Sequence, residues 1–166
     1  QFIGFPHYGD EYKVMGLAPY GKPVYMEQMR KIVLLQDDGS FKLNLDYFKH
    51  HKERVPYQWE NGIPTVGRMY ADKISELLGP VRMEGEDLTQ RHKDIAHSVQ
   101  KMYEEAFFNL INKLQELHGV DSLCIAGGCG MNSVANGKVK RNSKYKNVYI
   151  QSAAGDAGGA IGAALA

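Results

Sequence analysis

The 166-residue sequence is short of cysteine, with two, has a single tryptophan, and carries no surplus of either charge. Twenty Lys and Arg stand against 19 Asp and Glu, a formal net charge of +1. A nucleic-acid grip or an anionic-membrane binder draws on a marked basic excess, so this balance argues against both as partners. No run of roughly 18 apolar residues occurs, which excludes a membrane-spanning helix. Cys124 and Cys129 lie five positions apart in an apolar-to-glycine segment. They form no disulfide framework, they lack the second ligand pair of a zinc site, and their usage points to a reducing cytoplasm. An initiator Met and a signal peptide are missing before Gln1, and no helix stop signal precedes Ala166. Residues 1–166 therefore read as an excerpt of a longer chain.

What is present is a globular composition, 43% hydrophobic, 10% aromatic and 23% charged, of a length that suits one domain or one large lobe. Gly4, Pro6, Gly9, Gly16, Pro19, Gly21 and Pro23 make the opening turn-rich, with one short helix expected over 10–17 and Asp10 as its N-cap. Residues 32–45 read as a hairpin around Asp37-Asp38-Gly39-Ser40. Residues 47–67, with the basic run Lys49-His50-His51-Lys52, read as an irregular surface excursion, and 70–78 as a short helix. The longest regular element is expected over 94–118. There Ile95, Val99, Met102, Tyr103, Ala106, Phe107, Leu110, Ile111, Leu114 and Leu117 recur at spacings of three and four, the mark of one buried face. A buried strand is expected at 123–126 and a second strand at 148–150, as parallel neighbours joined by a helix over 132–140.

Each of these two strands runs into glycines, and the glycines run into a helix: Gly127-Gly128-Cys129-Gly130 after the first, Ala153 to Gly159 after the second. That geometry places free backbone N–H groups and a positive helix end beside a phosphate. Glycine serves tight helix–strand packing equally well, and spacing alone leaves both readings open. Neither turn is a P-loop or an ordered dinucleotide fingerprint. Asp156, between Gly155 and Ala157, suits a metal or magnesium–phosphate ligand, but also a plain N-cap. His92 and His97 are five apart and diverge on a helix, so solvated histidines are the expectation over a histidine metal site.

Gly9-Asp10-Glu11-Tyr12-Lys13-Val14-Met15-Gly16-Leu17-Ala18-Pro19-Tyr20-Gly21 closely resembles a signature of the O-carbamoyltransferase family, which includes nodulation-factor and antibiotic-tailoring enzymes. The resemblance continues at Asp94-Ile95-Ala96-His97-Ser98-Val99-Gln100 and across 126–137. It ends with Gln151-Ser152-Ala153-Ala154-Gly155-Asp156-Ala157-Gly158-Gly159 and the residues to Ala164. These are four motifs in the family's order over nearly the whole chain. Cys129-Gly130-Met131 departs from it, standing where small aliphatic residues are more usual.

The resemblance implies an α/β fold: part of an actin/Hsp70-like (ribonuclease H-like) ATPase-fold domain, the second lobe, with the β-hairpin as an insertion. It implies carbamoyl transfer from carbamoyladenylate, made from carbamoyl phosphate and ATP, to the hydroxyl of a small-molecule acceptor. A divalent metal is implied too, iron or else magnesium or manganese. By position, Gly127, Gly128 and Asn132 resemble the family's nucleotide-contacting turn. Glu11 and Lys13 fall near a nucleoside motif of tRNA-modifying relatives, and Asp156 resembles the C-terminal metal aspartate. The missing N-terminal lobe, with two further metal histidines, and a missing carbamoyladenylate-forming domain would be its partners. The excerpt alone is then expected to be inactive. The alternative is a non-catalytic nucleotide-binding or regulatory module of the same fold.

Overall fold

The structure is a computed structural model that describes residues 1–166. It divides into two units, Gln1–Gln36 with Phe41–Tyr103, and Asp37–Ser40 with Glu104–Ala166.

In the first unit the turn-rich opening yields one helix, α1 (Glu11–Leu17), and a 3₁₀ turn, Ala18–Tyr20. Asp10 holds the N-cap position but does not cap. Its carboxylate accepts from the His7 N–H at 3.0 Å and pairs with Lys13 at 2.5 Å. Helix α2 (Met26–Ile32) leads directly into β1 (Val33–Leu35), which pairs antiparallel with β2 (Phe41–Leu43). The hairpin expected at 32–45 is there, with shorter arms.

The stretch 47–67 is not an irregular excursion. It holds a second antiparallel hairpin, β3 (Tyr57–Glu60) with β4 (Ile63–Val66). Asn61-Gly62 joins the arms, both at positive φ, 50° and 80°, the conformation that matches the twist of paired strands. Only Ile74–Leu78 (α3) of the expected helix 70–78 is helical. Tyr70 bridges to Phe48 and the Ala71 N–H donates to the Tyr47 carbonyl at 2.9 Å, which holds the start of that segment extended. Phe2, Ile3, Met29, Ile32, Ile74, Leu78, Ile95 and Met102 form this unit's core.

Helix α4 (Gln90–His118) starts four residues earlier than the sequence pattern suggests. Its first turn is set by the Thr89 carbonyl, which accepts from the His92 and Lys93 N–H groups. Gly119 ends it at φ 63°. Of its apolar face, Ile95, Met102 and Ile111 are buried, but Val99, Leu110, Leu114 and Leu117 are exposed. Polar residues occupy interior positions instead: His92, Ser98, Gln100 and Glu104 are all buried. A pattern counted on apolar residues alone cannot register a buried polar side chain, so it marks the inward face only in part. The expectation of solvated histidines fails at His92 for the same reason.

The second unit contains β5 (Ser122–Ile125), α5 (Ser133–Asn136), α6 (Val139–Asn142), β6 (Asn147–Ile150) and α7 (Gly158–Leu165). Strands β5 and β6 are parallel neighbours joined through helices, as the sequence predicts. The connecting helix is broken into two short pieces. The Gly137 and Lys138 N–H groups close turns on Ser133 and Ala135 between them. Strand β5 is half-buried rather than buried: Leu123 and Ile125 face inward while Cys124 is exposed, because successive strand residues point to opposite faces. Ile111, Leu123, Ile125, Val139 and Tyr145 make the core, each such side chain contributing about 1.5–3 kcal/mol by leaving water. No helix is long and apolar enough to cross a membrane.

Candidate functional site

Parallel pairing puts the carboxyl ends of β5 and β6 side by side, with Ile125 opposite Ile150. Both strands leave the sheet there, and the Gln151 N–H donates back to the Ile125 carbonyl at 3.3 Å. Ligands of open α/β sheets bind beyond this end of the strands.

After β5 the backbone turns at Gly127, whose φ of 100° and ψ of 163° are accessible only without a Cβ. The Gly127 N–H donates to the Ala154 carbonyl at 2.6 Å, tying the first turn to the second. A 3₁₀ turn, Gly128–Met131, follows. Gly130 is buried against Ile125, where an added Cβ would stand 2.9 Å from Cγ2, and a Cβ on Gly155 would stand 3.0 Å from the Met131 sulfur. These two glycines serve close packing. Gly128 serves neither purpose: its φ is ordinary and nothing lies within 4 Å of where its Cβ would be. It lies on the open side of the turn, and the N–H groups that open a helix lack intrahelical partners.

Asn132 is the N-cap of α5, its Oδ1 accepting from the Ala135 N–H at 3.0 Å. Its side-chain oxygen is thus engaged in holding the turn. Asn136 was not singled out by sequence. Its Nδ2 donates to the Gly130 carbonyl at 2.6 Å, and its Oδ1 is buried with no hydrogen-bond partner. The signal available was a second amide one helical turn after Asn132, within reach of the same glycine turn.

Asp156 is exposed and lies one residue before the N-cap of α7, Ala157, where no side chain caps the helix. Only its backbone takes part, the carbonyl accepting from the Gly159 N–H at 3.4 Å. The capping role that competed for this residue is not the one it plays. No cluster of three or more His, Cys, Asp or Glu in the chain is arranged to hold a metal ion. One exposed carboxylate does not make a divalent-metal centre, so the residues present do not fit a metal on their own.

Glu11 and Lys13 belong to the first unit. Glu11 is exposed in the first turn of α1. Lys13 pairs with Asp10, whose carboxylate holds the ammonium above the usual lysine range. Burial pushes the Asp10 carboxyl up, but Lys13 and the His7 N–H together outweigh it and hold it below the ordinary value.

The motif carrying these two residues has a structural partner in the other first-unit motif. Asp94 Oδ1 accepts from the Lys22 N–H at 2.8 Å, His97 Nδ1 donates to the Ala18 carbonyl at 2.9 Å, and Ser98 Oγ accepts from the Tyr25 N–H at 3.1 Å. Gly21 sits so close to α4 that a Cβ would fall 2.0 Å from the Lys93 oxygen. The two segments latch each other, which accounts for much of their sequence without any ligand.

Residues 1–165 match the family model described as carbamoyltransferase N-terminus. The chain belongs to the carbamoyltransferase family. It is 44% identical over 166 residues to the uncharacterized protein sll1178 of Synechocystis sp., covering 99% of this chain and 25% of that protein. It is 34% identical over 166 residues to nodulation protein NolNO of Sinorhizobium fredii, covering 99% of this chain and 21% of that one. Nodulation protein NolO of Bradyrhizobium diazoefficiens is 34% identical over 157 residues, 94% of this chain and 24% of its own length. The chain thus spans about a quarter of the length of the curated relatives it matches.

Proposed function

We propose that this chain is the nucleotide- and metal-side portion of a carbamoyltransferase, moving a carbamoyl group from carbamoyladenylate to an acceptor hydroxyl. The carbamoyladenylate would be made from carbamoyl phosphate and ATP in another domain of the complete protein. The observation that carries the reading is the 2.6 Å bond from the Gly127 N–H to the Ala154 carbonyl, which gathers both glycine turns at the end of β5 and β6. Family membership supports carbamoyl transfer, and the carbamoyladenylate route rests on the resemblance. The α/β arrangement, read beside the resemblance, suits one lobe of an actin-like ATPase domain with the β1–β2 hairpin inserted.

In transfer, the acceptor oxygen bonds to the carbamoyl carbon, the carbon–oxygen bond to the AMP phosphate breaks with its electron pair leaving on AMP, and the acceptor proton passes to a base that the rest of the complete protein would supply. This chain's part is to hold the leaving phosphate at the open face of Gly128, with Asn132 and Asn136 keeping the turn in shape. No side chain here stands as the base. Asp156 is assigned to the metal on the resemblance, and no step is routed through that ion.

In the complete protein, Gly128→Val should lower nucleotide affinity at least about tenfold while thermal stability is retained, since a side chain there meets only ligand. Asp156→Asn should lower metal content and abolish transfer, yet leave carbamoyladenylate formation intact. Full transferase activity and full metal content in Asp156→Asn, or unchanged ATP affinity in Gly128→Val, would contradict the assignment.

A further inference from the structure

Residues 138–146 hold five cations, Lys138, Lys140, Arg141, Lys144 and Lys146, and no acid. All 19 Asp and Glu lie elsewhere, so a chain of net charge +1 carries one strongly basic segment on a remainder that is net acidic. The transfer reading does not use this segment. It runs from the start of α6 to the amino end of β6, whereas the glycine turns follow the carboxyl ends of β5 and β6.

The backbone beneath these cations is tied down within the second unit. Val139 and Tyr145 are buried, and the Tyr145 hydroxyl donates to the Ile111 carbonyl at 3.1 Å. Ser143 Oγ donates to the Val139 carbonyl at 2.8 Å, and Asn112 Nδ2 to the Asn142 carbonyl at 3.1 Å. The Lys144 N–H donates to Gln115 Oε1 at 3.2 Å. Two of the five cations have partners inside the unit, Lys138 in Glu104 and Lys146 in Asp121. Lys140, Arg141 and Lys144 are exposed, and their side chains make no hydrogen bond or ion pair. Three unpaired cations on a backbone already fixed have less order left to impose when a ligand arrives.

We infer that Lys140, Arg141 and Lys144 form a docking surface for an acidic segment of a partner protein. Charge complementarity carries the inference, and the other polyanions fit less well. A nucleic-acid strand adds base stacking to its phosphate contacts, and the one ring of the segment, Tyr145, is buried. A membrane binder sinks apolar side chains beneath its cations, and Val139 is buried as well. A run of carboxylates needs neither, and Arg141 can take one in two parallel hydrogen bonds. Clustered charge of this kind also speeds encounter with a partner of opposite sign. The inference is independent of the transfer reading, since it uses the opposite end of β6.

The test titrates the complete protein into a fluorescein-labelled oligo-glutamate peptide and follows anisotropy at low salt and at roughly 0.15 M, where screening is marked. Oligothymidylate and phosphatidylserine vesicles are titrated in parallel. The peptide is expected to bind, and to bind more weakly at the higher salt. Changing Lys140, Arg141 and Lys144 together to Gln should lower its affinity at least about tenfold, since three exposed charge pairs of modest strength combine to that. The same change at Lys42, Lys52 and Arg54, exposed cations of the first unit, should alter it less than about twofold. All six side chains are on the surface or partly so, and circular dichroism should show both variants folded. Absence of peptide binding, or an equal loss in the first-unit variant, would overturn the inference. So would tighter binding of the oligonucleotide or the vesicles through the same three cations, or displacement of the peptide by AMP at matched ionic strength.

Discussion

Gly21 shows how a single position in a family motif can be fixed by packing. Its backbone dihedrals are ordinary, so conformation does not require glycine; the nearness of the Lys93 carbonyl does. Gly21→Ala should cost about 1–3 kcal/mol in urea unfolding, the usual penalty for forcing apart a close-packed contact. An unchanged midpoint would mean that the two segments are not latched there. His92 gives a pH dependence of definite sign. Burial, the largest influence, and the nearby Arg91 and Arg82 hold its imidazole below the ordinary histidine value. Arg91 Nη2 lies 2.9 Å from Nε2 and the Thr89 N–H donates to Nδ1 at 3.1 Å, so donors meet both ring nitrogens and oppose an added proton. The unfolded chain then binds the proton first. Stability is fully present above about pH 6.5 and is lost as pH falls from there through the lower folded value. Urea titrations between pH 7 and 5 should show this slope, and His92→Gln should flatten it. The Asp94 carboxyl acts lower down: Gln90, then the Lys22 N–H, hold it below the usual range, so its share is lost only in stronger acid.

At the scale of elements, the N-cap of α6 is joined to α4 by a buried charge pair, Lys138 Nζ with Glu104 at 2.5 Å. The Glu104 side chain is 4% exposed and that of Lys138 29%. Removing the cation leaves a carboxylate in the interior; because Lys138 is partly solvated, Lys138→Met should cost about 2–3 kcal/mol, below the range for a fully buried pair. A loss under about 0.5 kcal/mol in chemical unfolding would show that Glu104 is adequately solvated without it. Elements with strong local signals were legible in the sequence: α4, the β1–β2 hairpin, and the parallel pair β5 and β6. The β3–β4 hairpin has a local signal too, Asn61-Gly62, but two prolines and a basic run in the segment around it mask the strand pattern. The inward face of α4 was not legible, since Ser98 and Glu104 are buried by long-range partners that no local pattern encodes. For the candidate site, sequence placed the glycine turns and Asp156 but not Asn136. It could not sort Gly128, which faces open space, from Gly130, which packs on Ile125.

For the molecule as a whole, the second unit holds everything proposed to face a nucleotide except Glu11 and Lys13, which lie in the first. Lys13 is engaged with Asp10, so the glycine turns carry the central claim. A helix of eight residues with none buried, as α7 is, is marginal alone in water, and weak affinity is expected of the 166-residue chain by itself. Amide NMR resolves weak binding residue by residue. With AMP added to millimolar concentration, the account predicts shifts concentrated in residues 126–132 and 153–158, saturating with ligand and lost in Gly128→Val. Shifts scattered over the first unit, or the same response in Gly128→Val, would contradict it.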